Sequence, residues 1–338
     1  MGMKKRLISI FSVVALAVMG IGVWGIGMAQ KTDEITIAYF LEWPTPNQFA
    51  QARGIYEKEL GVEINWRAFD TGTAMSAAMA SGDVQIAFSQ GIAPFVVATS
   101  AGQDLQVIDV SESYSESDNC VVRAMLEIDK TNPRDLEGKQ VGVPLGTVAH
   151  YGFLKQMAYF GVDVSTMTII DMAPPDSAAA FANGNLDMVC GWGGPLRRMK
   201  KHGNVLLTGA EKEALGIRVF DVTTVTAAWA KENAELLTGF LKVTADMNAR
   251  FAAGEREAML PVIAKVAGMD EEAARATIAG FDFPTVEAQL SGKWLGGGIQ
   301  TFLKEVADFF VEQGVIGSAR ASYEGAVDAS YLKAASKM

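Results

Sequence analysis

The sequence has only two cysteines and two histidines in 338 residues. That is too few thiolate and imidazole ligands for a dedicated transition-metal site, so neither a metal nor a cofactor is expected. Cys120 and Cys190 allow one bridge. Each also borders an apolar stretch (CVV and DMVC) and suits a small buried core position, and both readings stand open. The net charge is −10. An acidic body argues against nucleic acid and against anionic membrane surfaces as partners. It leaves an anionic ligand possible, because backbone N–H groups can bind one locally. The signatures of nucleophilic, metalloprotease and phosphoryl chemistry are missing as well: no G-x-S-x-G, H-E-x-x-H or G-x-x-x-x-G-K-[ST] pattern occurs. A Cys/His nucleophile would need Cys120 or Cys190 beside His150, and no local pattern activates such a thiol. No catalytic residue is assigned.

Long apolar runs occur only once. Lys4, Lys5 and Arg6 precede an uncharged stretch, Leu7–Gly27, which ends in Gly27-Met28-Ala29. This is the layout of a secretory signal peptide over residues 1–29, cleaved after Ala29, with the mature protein exported to the periplasm. The run is also long enough to span a bilayer, so an uncleaved anchor holding a sensor domain is the alternative. Cleavage would leave 309 residues, enough for two lobes, and would move the net charge to −13.

The remainder alternates. Glu34–Tyr39 suits a buried strand, Ala50–Leu60 a helix and VEINWRAF a second strand, a βαβ order. Thr73–Ala80 reads as a helix and Asp83–Phe88 as a third strand, with Gly91 to Pro94 breaking it before an apolar helix from about Phe95. A second block repeats this from near residue 119, with strands at CVVRAML, Lys139–Pro144, Met167–Asp171 and Leu186–Trp192. Asp221–Trp229 is rich in β-branched residues and reads as a long strand. From Asn233 onward the pattern is almost wholly helical. The expected architecture is α/β with two lobes and crossings at about 111–118 and 228–232.

Ligands of open α/β sheets sit beyond the carboxyl ends of the strands. The runs there are Glu42-Trp43-Pro44-Thr45, Ser89-Gln90-Gly91-Ile92-Ala93, Leu145-Gly146-Thr147 and Gly191-Trp192-Gly193-Gly194, with Asp221 opening its strand. Gly146 permits a tight turn and Thr147 can cap the following helix, whose first N–H groups form a natural anion site; an ordinary capped helix has the same sequence. Gln90 to Ala93 present the matching turn in the first block. Trp192 and Trp43 offer indole faces for a cation or an apolar spacer, or ordinary packing. Glu42 and Asp221 are carboxylates placed to receive an ammonium group. His150, one turn into its helix, is either a cap-region histidine or a donor to an anion.

Three strings carry a resemblance: ASGDVQIAFSQGIAP from Ala80, DLEGKQVGVPLGTVAHYGFL from Asp135 and NGNLDMVCGWGGP from Asn183. In order and spacing, over roughly residues 35–330, the chain resembles the nitrate/sulfonate/taurine family of ABC transporter solute-binding proteins, nearest to its taurine-binding members. The resemblance implies a type II periplasmic-binding-protein fold, with two α/β lobes and a ligand cleft between them. Residues 30–112 and 230–338 would form lobe I and 113–229 lobe II. It implies a non-catalytic monomer that delivers its ligand to an ABC permease in the inner membrane. In the taurine-binding members a tryptophan packs over the ligand, and that position falls on Trp192. An aspartate opening the return strand meets the ammonium, which falls on Asp221. The anion end falls on Gly91, Ile92 and Ala93 and on Thr147 to His150. Two departures stand out. Ile92-Ala93 replaces a Ser-Ser pair, leaving only backbone donors there, and FLEWPTP differs from the usual first loop. Taurine, with an ammonium and a sulfonate two carbons apart, suits these groups. Another alkanesulfonate or an amino acid is the alternative, and a catalytic protein of the same fold, with His150 as its evident base, the more distant one.

Overall fold

In a computed structural model residues 33–338 are described; the expected signal segment lies outside them. Two sheets organise the chain. The first contains β1 (Glu34–Phe40), β2 (Glu63–Phe69), β3 (Ile86–Gly91), β4 (Leu105–Tyr114), β10 (Phe220–Thr226) and β11 (Phe281–Asp282), ordered β11-β4-β10-β3-β1-β2. The second contains β5 (Asp118–Arg123), β6 (Gln140–Val143), β7 (Thr168–Asp171), β8 (Met188–Trp192) and β9 (Gly203–Asn204), ordered β7-β6-β8-β5-β9. In each sheet, helical crossovers join parallel strands, as parallel pairing requires. Each also has an antiparallel strand beside its third strand: β10, which returns after the second sheet is complete, beside β3, and β5, which enters directly after β4, beside β8.

These pairings fix where the chain passes from one sheet to the other. The first passage lies between Tyr114 and Asp118. The second differs from expectation. Strand β10 already pairs with β3 and β4 from Phe220 onward, so the return precedes Phe220 rather than falling at 228–232, and residues 220–229 do not belong with the second sheet. The β-branched run DVTTVT made the strand legible but not its sheet. The strand stops at Thr226, and Trp229 lies in the helix Ala227–Glu232.

Two local signals also acted differently from the sequence reading. The helix expected over 50–60 is split into Asn47–Ala52 and Ile55–Leu60 by Gly54 at φ 60°. The apolar helix begins at Ile92, because Pro94 lies in its first turn, where a missing N–H costs no helical bond. Cys120 and Cys190 face each other in the β5–β8 register, with Cα atoms 3.9 Å apart, and form a disulfide. One apolar core runs through both sheets and the C-terminal helices, and a smaller one lies under the second sheet around Phe181 and Val189. Among the described residues no helix is long and apolar enough to cross a membrane.

Candidate functional site

The carboxyl ends of β1, β3 and β8 and the starts of several helices meet around a small cavity. Phe40, Trp43, Tyr114 and Trp192 supply aromatic walls, Asp221 a carboxylate, and Gly72, Gly91, Pro94, Thr147 and Val148 the remainder; no Lys or Arg lines it.

One side is built from helix starts. The helix Gly72–Ala80 begins at the cavity and is capped by Thr71. Gly91 precedes Ile92–Ser100, and no side chain caps that helix. Thr147 caps Val148–Phe160, accepting from the His150 N–H while donating to the Pro144 carbonyl at 2.6 Å. The first-turn N–H groups of a helix lack intrahelical acceptors and carry its positive end. Three such ends at one small cavity form a receptor for negative charge without a formal cation. Gly91 is required sterically: a Cβ there would lie 2.6 Å from Val148 Cγ2 and 3.4 Å from Asp221 Oδ1.

The other side is acidic and lies at the seam of β3, β4 and β10. Asp221 pairs in register with Gly91, which leaves its carboxylate beside the glycine gap. The Tyr114 hydroxyl donates to Asp221 Oδ1, and Ser89 Oγ lies 3.0 Å from Asp221 Oδ2. Ser89 also reaches Glu112 Oε1, which accepts from Trp43 Nε1 at 2.8 Å. Ser89 occupies a bulge: Phe88 and Ser89 oppose the single residue Thr223, and Ser89 sits at φ 60°. A non-glycine residue in that region is strained and stays there only when its surroundings hold it; here the hydroxyl is held between two acids. Burial raises both Glu112 and Asp221 above the ordinary carboxylate range, Asp221 strongly, and Glu112 adds like-charge repulsion to Asp221. Asp109 and Asp118, buried nearby, are each pushed up to about 6 by the same loss of solvent. Among the described residues no Lys or Arg pairs with Asp221 or Glu112, and no group of three potential ligands is arranged to hold a metal.

Of the residues marked in the sequence, Trp43, Gly91, Thr147, Trp192 and Asp221 come together at the cavity. The others lie elsewhere. Glu42, at φ 54°, turns its carboxylate outward to Arg198, with 3.1 Å between Arg198 Nη2 and Glu42 Oε1. That occupied position corrects its reading as an ammonium receptor. Gln90 is fully buried within its own sheet: its Nε2 donates to the Gly72 carbonyl at 3.0 Å and to Ser76 Oγ at 2.8 Å. Ile92 and Ala93 are buried and outside the lining, so only their backbone can serve there. His150 accepts from the Gly146 N–H through Nδ1 at 3.1 Å, and burial lowers it to about 4, so it is a neutral residue holding its own turn. Trp43 is only 2 % exposed; its ring stands edge-on to Tyr114 at 4.6 Å and its N–H is committed to Glu112 and Ser89. Trp192, half-buried against Phe40, is the more available indole.

The sequence reading missed Glu112, Tyr114 and the role of Ser89. Ser89 follows from β3 continuing past Phe88, and Glu112 and Tyr114 from β4, a strand the sequence reading did not mark. In LQVIDVSESY the polar second half resembles a loop, but it continues the strand and carries Glu112 and Tyr114.

A family model described as NMT1/THI5 like matches residues 45–258. The taurine-binding periplasmic protein of Escherichia coli (strain K12) is 26% identical over 313 residues, covering 91% of this chain and 95% of that protein. A putative aliphatic sulfonates-binding protein of Bacillus subtilis (strain 168) is 28% identical over 248 residues, covering 71% and 72%. The alkanesulfonate-binding protein SsuA from Xanthomonas axonopodis pv. citri, solved bound to MOPS, superposes with a TM-score of 0.70 at 18% identity, covering 85% of this chain and 95% of that one. The fold is thus the type II periplasmic-binding-protein fold, two α/β lobes with a cleft between them.

Proposed function

The chain belongs to the NMT1/THI5-like family, and from that premise we propose that it is a periplasmic solute-binding protein of an ABC importer whose ligand is a compact amino-sulfonate, taurine first. The single observation that carries this reading is the division of one small cavity into two ends, the Asp221 carboxylate on one side and three helix starts on the other. A zwitterion satisfies both. A sulfonate without an amine leaves Asp221 unpaired and meets it as a like charge. The aromatic walls of Phe40 and Trp192 suit the short apolar spacer between the charges. The names of the relatives support the sulfonate end, since they describe taurine and aliphatic sulfonates. The ligand is carried unchanged, enclosed as the lobes close, and passed to a membrane permease.

The test is a thermal-shift and calorimetry panel on ligand-stripped protein with taurine, ethanesulfonate and amino acids. Taurine at about a hundred times its Kd stabilises a one-site protein by about 2.7 kcal/mol, a shift of a few degrees. No shift and no heat with any member would overturn the reading. A stronger response to ethanesulfonate than to taurine would remove the ammonium end alone.

A further inference from the structure

Ser89 has one hydroxyl proton, yet its oxygen lies within hydrogen-bonding distance of a Glu112 oxygen, an Asp221 oxygen and the Trp43 N–H. It can donate to only one carboxyl group. Towards the other it must accept, so that group must carry a proton. The remaining neighbours offer no alternative source of neutralisation. Tyr114 and Trp43 donate but bear no charge. Asp109, on the same strand as Glu112, and Asp118, at the start of β5, add further negative charge to the seam. The nearest buried cation, Lys212 on the helix Gly209–Ala214, donates to the Asp118 backbone carbonyl instead. Glu112 Oε2 is buried with no hydrogen-bond partner.

We propose that Asp221 and Glu112 hold one proton between them while the cavity is empty of ligand, and that a ligand ammonium replaces that proton. This rests on the reading of Asp221 as the ammonium receptor. The exchange balances. Without ligand, the pair carries one negative charge and one acid proton. The ammonium brings one positive charge, the O–H bond breaks, the proton leaves to solvent, and the pair becomes a dicarboxylate facing the ammonium. The buried charge of the seam stays the same, so the swap avoids adding an uncompensated ion to a site with little water. The raised proton affinity of both acids in the ligand-free protein agrees with this. Glu112 does not line the cavity and acts through Ser89 and Asp221, so it is a positioning residue. Its consequence is selectivity: a plain alkanesulfonate brings no positive charge to exchange and leaves the proton where it is.

The experiment uses the whole protein and taurine as the probe. Calorimetry in buffers of different ionisation heat should show about one proton released per taurine bound. Affinity should fall about tenfold per pH unit as pH drops below the proton affinity of the free pair. In Glu112→Gln the proton count should drop to near zero and the pH dependence should flatten. Taurine binding by the wild type without proton release would overturn the exchange while leaving the proposed function standing. The infrared spectrum of ligand-free wild type decides independently of any ligand. At about pH 8, above the range of Asp109 and Asp118, a protonated-carboxyl band should remain. Its absence would overturn the shared proton even if taurine proved not to bind or the variant failed to fold.

Discussion

The two sheets place an aspartate in the same slot and use it differently. In each, the antiparallel strand beside the third strand carries an aspartate at its start, opposite that strand's last residue. Asp221 faces Gly91 in the first sheet, and Asp118 faces Trp192 in the second. Gly91 leaves a gap, so Asp221 reaches the cavity; opposite Asp118 it is Trp192 that lines the cavity, and Asp118 is outside the lining. Two residues farther along, the second sheet joins its strands through Cys120–Cys190. In the corresponding region the first sheet is bulged and holds Ser89 at a positive φ. A regular, cross-linked register makes one sheet a wall. The irregular register of the other turns a hydroxyl inward between two acids, at the end proposed to receive the ammonium.

Four experiments break or sharpen this contrast. The largest effect should be on stability: replacing both cysteines by serine reopens a 70-residue loop, a loss of about 4 kcal/mol on the chain-entropy account. Denaturant unfolding measures it, with taurine affinity nearly unchanged; a large loss of affinity would show that the second sheet is more than a wall. Next, Asp221→Ala should weaken taurine by about 3 kcal/mol, more than a hundredfold, the scale of removing one partner from a buried charge pair. Ethanesulfonate should be barely affected, and Asp118→Asn should leave both ligands within a few fold. Equal losses from the two aspartates in calorimetry would erase the distinction between the slots. Third, Trp192→Ala should cost about 1–2 kcal/mol for either ligand, because the ring contacts the part they share; wild-type affinity would mean the indole only packs on Phe40.

The smallest effect is in pH-dependent stability. Glu112 and Asp221 bind protons more tightly folded than unfolded, so their contribution is full below the unfolded carboxylate range and is lost as pH rises through the folded values. His150, lowered to about 4, acts in the opposite direction but only below its unfolded value of 6.5. Lys212, also lowered, is common to the proteins compared. Between about pH 6.5 and 8, ligand-free wild type should therefore lose about 1 kcal/mol more than Glu112→Gln. Parallel melting curves across that range would count against the acid seam.

Much of this was legible in the sequence. Alternation of strand and helix patterns gave both blocks, because parallel strands buried on two faces read as apolar runs bounded by glycine. Gly91, Thr147, Trp192 and Asp221 were found by position, since each ends or begins a recognisable element. What could not be read was partnership. Glu42 and Asp221 are both carboxylates at strand ends, and only the fold shows that Arg198 occupies the first. Lys212 sits in the charged run GAEKEA, which resembles a solvated helix, yet it is buried behind Asp118. Glu112 lies in a polar stretch that resembles a connection. Its burial depends on β10, more than a hundred residues away, arriving beside it.

The Glu42–Arg198 pair has a consequence for time rather than affinity. Beside the cavity, the Gly194 N–H donates to the Glu42 carbonyl at 3.2 Å, and a Cβ at Gly194 would lie 2.0 Å from the Glu42 carboxylate. The loop after β1 and the helix after β8 are thus fastened to each other, one from each sheet. On the proposed function, a captured molecule would leave only as fast as this fastening opens. Arg198→Ala should shorten the residence of every ligand by a common factor, leaving their ranking to the seam within.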